Sequence, residues 1–276
     1  MKYSSCITNP SIFEQPLNTI LETLIKAGFD GIDIPGDENL YPVAKIKPLL
    51  DSYKNKLPIA EITACMNPTR DLIHPDPAKR KIATDYIKYC IDTAVQLECL
   101  QTHMCFLSFP ENLAQNPREK LEQLGIAAIR DCADYAHEKG VRLLLEPLFK
   151  DDVSLVNRAD QAVSLFARAM HMEESAFITG NHDFGLLLDL FHMHHEEQDL
   201  AVALEKYRKI TYHVHVADHP RGLDFSRTDS GFVRTGIQKL QQLNYSGYIS
   251  FESFNPAFNL EQLPKSLAML KKLEKH

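Results

Sequence analysis

Val141-Arg142-Leu143-Leu144-Leu145-Glu146-Pro147-Leu148 is a short, mostly apolar run that stops on a carboxylate. Such a run suits a parallel strand covered on both faces. Three later runs have the same form. Gly185-Leu186-Leu187-Leu188 ends in Asp189-Leu190-Phe191-His192. Thr211-Tyr212-His213-Val214-His215-Val216 leads into Ala217-Asp218-His219-Pro220-Arg221. Tyr248-Ile249-Ser250-Phe251 ends in Glu252-Ser253-Phe254.

Working outward, strands are expected near 3–7, 31–34, 58–64, 99–105, 141–146, 185–189, 211–216 and 247–252. Amphipathic segments near 16–27, 40–55, 77–97, 117–139, 158–170, 197–208, 232–243 and 260–274 read as helices. Local chemistry supports the alternation. Ala27-Gly28 and Gly140 end helices just before strands, as glycine does at a helix C-terminus. Asn116-Pro117 opens the fourth helix, with proline in its first turn. Leu121, Leu124, Ile126, Ile129 and Ala133 supply that helix's buried face. Alternating strands and helices predict a parallel sheet. Eight pairs in 276 residues predict a single (β/α)8 TIM barrel over residues 1–276, an open doubly wound sheet being the alternative.

Composition bounds the function. The formal charge is -7 with 44% hydrophobic residues, so the basic footprint of a nucleic-acid binder is missing. No apolar stretch approaches the roughly 20 residues of a membrane span, and the N-terminus has no signal-peptide pattern. The six cysteines are scattered, without a CxxC pair, and read as buried free thiols in a cytoplasmic protein.

Catalysis in such barrels sits at the C-terminal strand ends. Four successive strands end in Glu146, Asp189, His215 and Glu252. Each has an ordinary alternative. Glu146 or Asp189 can cap a helix, His215 can be a hydrogen-bonded core histidine, and Glu252 can pair with a lysine. Together they predict a site for one divalent metal ion, because buried carboxylates need compensation. Three carboxylates and an imidazole suit Mn2+, Mg2+, Co2+ or Zn2+. Period-2 alternation turns His213 and His215 to one side, and groups Tyr248 and Ser250 with Glu252. It also lets His103 enter the same cavity.

These residues resemble the xylose-isomerase-like superfamily of barrels. The resemblance rests on Glu146-Pro147-Leu148, Asp189-Leu190-Phe191-His192, His213-x-His215, Phe251-Glu252-Ser253-Phe254 and Gly28-Phe29-Asp30-Gly31-Ile32-Asp33. Ketose 3-epimerases, such as tagatose or psicose 3-epimerase, fit best. The resemblance implies Glu146, Asp189, His215 and Glu252 as metal ligands, with Mn2+ the first choice of ion. It implies Glu146 and Glu252 as catalytic acid and base, working through an enediolate on a sugar substrate. His192 and Arg221 would hold substrate oxygens, with His103 nearby; a plain loop arginine is the alternative for Arg221. It also implies a homodimer or homotetramer. The sequence departs from the epimerases at Phe149, where asparagine is usual, and at Asp152, where glutamate is. Their Pro-Gly-x-Gly stretch is replaced here by residues 222–231.

Three rivals share the fold. An inosose-type dehydratase would use the same base to expel a hydroxyl. An endonuclease IV-like enzyme would need a three-zinc cluster, for which His103 and Asp229 stand in place. However, Asp229-Ser230-Gly231 and Ala64-Cys65-Met66-Asn67 lack its further histidines. A non-catalytic scaffold would have no use for four intact ligands. The run His192-Met193-His194-His195 suggests a second metal site, or a solvated helix start for its last two members. The loop Ser226-Arg227-Thr228-Asp229-Ser230 reads as a phosphate cradle or a lid.

Overall fold

The computed structural model describes residues 1–67, 69–152, 154–226 and 230–274. Eight strands close into a barrel in sequence order. They are β1 (Lys2–Cys6), β2 (Gly31–Pro35), β3 (Ile59–Thr63) and β4 (Gln101–Met104). There follow β5 (Arg142–Leu145), β6 (Phe184–Asp189), β7 (Thr211–Val216) and β8 (Tyr248–Phe251). All neighbours are parallel, and β1 closes on β8 with Ser4 opposite Ser250. The closed barrel replaces the open-sheet alternative.

Eight longer helices alternate with the strands: α1 (Leu17–Ala27), α2 (Val43–Tyr53), α3 (Pro77–Gln96), α4 (Arg118–Lys139), α5 (Ala159–Ala169), α6 (Leu200–Tyr207), α7 (Gly231–Gln242) and α8 (Leu263–Leu273). Each buries an apolar stripe; on α4 it holds Leu121, Ala128, Ile129, Cys132, Ala133 and Ala136. Gly28 and Gly140 take left-handed φ values of 86° and 69° at their helix ends, where a Cβ would be strained.

Two boundaries move for identifiable reasons. Helix α6 starts at Leu200, not near 197, because the Asp199 carboxylate accepts from the Val202 N–H at 3.0 Å. Glu197 stays outside the helix and accepts from the Ala159 N–H at 2.8 Å. Near residue 260 the chain first forms a 3-10 turn, Leu260–Gln262, capped by Asn259. Short helices at Pro10–Phe13, Pro110–Gln115, Glu174–Thr179 and Leu190–Glu196 are additions. They are too short to show a helical period in sequence. Among the described residues no helix is long and apolar enough to cross a membrane. All six cysteines are free, and five are buried.

The barrel wall is tight where β6 meets β7. A Cβ on Gly185 would lie 2.4 Å from the Ile210 carbonyl oxygen and 2.6 Å from the Tyr212 ring. Because one obstacle is backbone, relief requires strand movement. Gly185→Ala is expected to destabilise the protein by about 1–3 kcal/mol. Thermal unfolding should show a drop of several degrees.

Candidate metal centre and catalytic pocket

The four strand-end residues converge. Ligand atoms of Glu146, Asp189, His215 and Glu252 all lie within 4.8 Å of one another, and all four residues are buried. The sequence placed them on four neighbouring strands, and closure of the barrel brings their tips together.

Backbone pairing aims the two glutamates. The Glu146 N–H donates to Met104 O at 3.0 Å, and the Glu252 N–H to Val216 O at 3.2 Å. Each residue thereby continues its strand by one position. Asp189 also caps the helix Leu190–Glu196: its Oδ1 accepts from the Phe191 N–H at 2.8 Å. That leaves Oδ2 for the pocket, so capping and pocket roles coexist. His215 turns Nδ1 toward the pocket, 3.4 Å from Glu252 Oε2 and 3.7 Å from Glu146 Oε1.

Arg221 reaches the same place from the loop after β7. Its guanidinium donates to Asp189 Oδ2 and, at 2.8 Å, to Glu252 Oε2. Phe191 and Phe254 flank it, with their centroids 4.7 and 5.1 Å away. The arginine backbone has φ 60° and follows a cis His219–Pro220 bond. A left-handed non-glycine residue is costly, and such outliers cluster at functional sites. The loop after β8 fixes the conformation: the Ser253 hydroxyl and the Phe254 N–H both donate to Arg221 O.

His192 is held at both ring nitrogens. The Phe149 N–H donates to its Nδ1 at 3.2 Å. Its Nε2 faces Arg221 Nη2 at 3.4 Å, Asp189 Oδ2 at 3.6 Å and Glu146 Oε1 at 3.9 Å. Phe149 stacks on the His192 ring at 5.5 Å. Asp152 Oδ2 stands 3.7 Å from His192 Nδ1. Burial raises the Asp152 pKa against the pull of His192 and Arg221.

His103 lies beneath Glu146. Its Nε2 is 3.6 Å from Glu146 Oε2, and its Nδ1 is 3.2 Å from Glu61 Oε1. His194 and His195 are exposed members of the helix Leu190–Glu196. His194 stacks on Phe232 at 4.3 Å, and His195 sits beside Phe149 and His219. Of the loop 226–230, Arg227, Thr228 and Asp229 lie outside the described residues.

The electrostatics reflect shared charge. Burial alone would raise the Glu252 pKa, but His215 and Arg221 hold it far below the usual carboxylate range. Asp189 is likewise held down by Arg221 and His192 against burial. Burial works against a charged His215, yet Glu252, Glu146 and Glu61 push its pKa well up.

Three carboxylates thus face one guanidinium. Glu146 Oε1 and both nitrogens of His215 are buried without a hydrogen-bond partner. Convergent, unsatisfied O and N donors with excess negative charge fit a divalent cation of the Mn2+, Mg2+, Co2+ or Zn2+ class.

Sequence reasoning missed a second group beneath this one. Asp33, Glu61, His213 and His215 also bring their ligand atoms within 4.8 Å of one another. The signal was available: a single acid inside Gly31-Ile32-Asp33-Ile34 and inside Ile59-Ala60-Glu61-Ile62. An acid in the middle of a strand covered on both faces must find its partners inside the barrel.

Comparison with known proteins bears on the family and the fold. A family model described as a xylose isomerase-like TIM barrel matches residues 21–273. A probable ketose 3-epimerase of Synechocystis is 28% identical over 238 residues, covering 83% of this chain and 75% of its own. The solved D-psicose 3-epimerase of Clostridium cellulolyticum H10 superposes with TM-score 0.76 at 19% identity, over 100% of this chain and 96% of its own. The 3-keto-D-glucoside 4-epimerase YcjR of E. coli superposes with TM-score 0.78 at 21% identity, over 99% of both chains.

Metal binding should appear as stabilisation. At about 100 times its Kd, a ligand adds about 2.7 kcal/mol. A chelator-stripped sample should therefore gain roughly 5–10 °C in Tm on addition of Mn2+. Asp189→Asn keeps an oxygen for the Phe191 N–H but removes the charge, and should lose most of that gain. An unchanged gain in this variant would exclude Asp189 as a ligand.

Proposed function

Because the chain belongs to the xylose isomerase-like TIM-barrel family, we propose that it is a divalent-metal-dependent sugar epimerase, specifically a ketose 3-epimerase. The observation that carries this reading is the convergence of Glu146, Asp189, His215 and Glu252 at four adjacent strand ends. Relatives named ketose 3-epimerase support the choice of reaction, among them that of Arthrobacter globiformis.

These four residues would hold the ion, Mn2+ in the first instance. When bound, it would supply Lewis-acid polarisation of the substrate carbonyl. The protein's own groups do the rest. Glu146 and Glu252 come from β5 and β8 ends across the pocket and serve as the acid–base pair. One takes the proton beside the carbonyl, giving an enediolate, and the other returns a proton to the opposite face. His192 turns Nε2 toward the place of a substrate oxygen. Arg221 offers guanidinium hydrogens and, with three carboxylates around it, carries the charge that orients the sugar. His103 contributes by holding Glu146, whose carboxylate it faces. Phe149 and Asp152, both against His192, shape the wall that selects the sugar. A homodimer or homotetramer is the assembly that the family resemblance favours. Six free thiols support a cytoplasmic setting.

The test is a panel of free and phosphorylated ketoses incubated in D2O with Mn2+. Inversion at C3 with one deuterium taken up at that carbon is the expected result. Water loss instead would identify a dehydratase, and cleavage of abasic DNA an endonuclease. Glu146→Gln and Glu252→Gln should each lower kcat by about 10²–10⁴. His192→Ala and Arg221→Ala should act largely on KM, if their bonds to the sugar persist from ground state to transition state.

A further inference from the structure

The buried layer under the metal centre is organised around Glu61. This residue is 0% exposed, as are His213, His215 and Asp33, and His103 is 3% exposed. Glu61 Oε1 lies 3.2 Å from His103 Nδ1. Its Oε2 lies 3.5 Å from His215 Nε2, the nitrogen on the far side of the ring from the pocket. Both atoms of this second contact are buried and have no hydrogen-bond partner, so each is the nearest group able to satisfy the other.

A second cation is the rival explanation for this layer, and proton placement argues against it. The Gln101 side-chain nitrogen lies 3.1 Å from the Ala60 carbonyl oxygen and 3.1 Å from His213 Nδ1. A carbonyl can only accept, so this atom is the amide NH2 and its second hydrogen points at His213 Nδ1. His213 Nδ1 is therefore an acceptor, and the ring proton sits on Nε2. That proton faces Asp33 Oδ2 at 2.9 Å. Where a second ion would need a lone pair, His213 presents a hydrogen. Asp33 Oδ2 accepts it, while Asp33 Oδ1 has no hydrogen-bond partner, and Glu61 faces His103 and His215.

We propose that Glu61 is a positioning residue for the metal centre. It accepts the Nε2–H of His215 and so presents Nδ1, unprotonated, to the cation. It also accepts from His103, which places the His103 ring against Glu146. One buried carboxylate thus orients two of the four ligands, His215 directly and Glu146 through His103. The inference rests on the reading that Glu146, Asp189, His215 and Glu252 hold a cation. Carboxylate partners of metal-bound histidines fix tautomer and ring orientation, and their loss weakens metal binding about 10–100-fold.

The test uses the full chain, stripped of metal and titrated with Mn2+ while free Mn2+ is followed by electron paramagnetic resonance. Wild type should bind one ion per chain. Glu61→Gln should bind one ion about 10–100-fold more weakly, because an amide oxygen cannot accept from both imidazoles while its NH2 faces one of them. The metal-free variant should still unfold cooperatively near the wild-type temperature. An unchanged Kd overturns the proposal alone, whatever the thermal stability. Two ions in wild type and one in Glu61→Gln would make Glu61 a ligand and also overturn it. No binding by wild type would overturn the metal centre itself, together with this inference. If Glu61→Gln does not fold, long-range 1H–15N spectra of Zn2+-loaded wild type decide the matter. A His215 ring protonated on Nε2 and metal-bound at Nδ1 supports the proposal, and the opposite tautomer overturns it.

Discussion

Five carboxylates, Asp33, Glu61, Glu146, Asp189 and Glu252, are at most 5% exposed inside one closed barrel, and the groups around them are arranged by the cost of that charge. An isolated carboxylate taken out of water costs several kcal/mol even after relaxation. Two kinds of compensation divide the lumen. In the lower layer imidazoles answer the acids, His213 facing Asp33 and His103 facing Glu61. In the upper layer a guanidinium answers two of three carboxylates. Hydrogen bonds join His213 to Asp33 and His103 to Glu61, while Asp33 Oδ1 and Glu61 Oε2 have no partner, and the upper layer likewise keeps Glu146 Oε1 in reserve.

His215 joins the layers. Its two nitrogens point to opposite sides, Nδ1 toward Glu252 and Glu146, Nε2 toward Glu61 and Asp33. A ring in this position cannot tilt without breaking contacts above and below. The strand supports it: His215 pairs in register with Asp189 on one side and with Ser250 on the other. Precision in the pocket therefore comes from the barrel wall and from a polar floor, to which the loop after β7 adds Arg221 and the short helix after β6 adds His192.

Much of this was legible in the sequence, and the limits have physical causes. The strand ends at 146, 189, 215 and 252 stood out because each interrupts or closes an apolar run, and parallel topology brings those ends to one rim. The interior acids did not stand out. Asp33 and Glu61 sit at mid-strand, where the sequence shows an acid between apolar neighbours but not the groups that face it. Only closure of the barrel buries both faces. Their partners come from β4 and β7, 42 and 180 residues away in the His103–Glu61 and His213–Asp33 pairs, and no local pattern encodes such distances. Arg221 was recognisable by its place after the ligand histidine, but its left-handed backbone depends on Ser253 and Phe254 of another loop.

The two glutamates proposed as acid and base occupy unlike surroundings. Glu252 has a guanidinium at 2.8 Å and is held ionised by it and by His215. Glu146 has imidazole nitrogens at 3.6 to 3.9 Å, and its Oε1 has no hydrogen-bond partner. A carboxylate held ionised by neighbouring cations takes up a proton less readily, so surroundings distinguish two residues of one type. His215 lowers the Glu252 pKa more than Arg221 does, and its strand holds it in register beside Ser250.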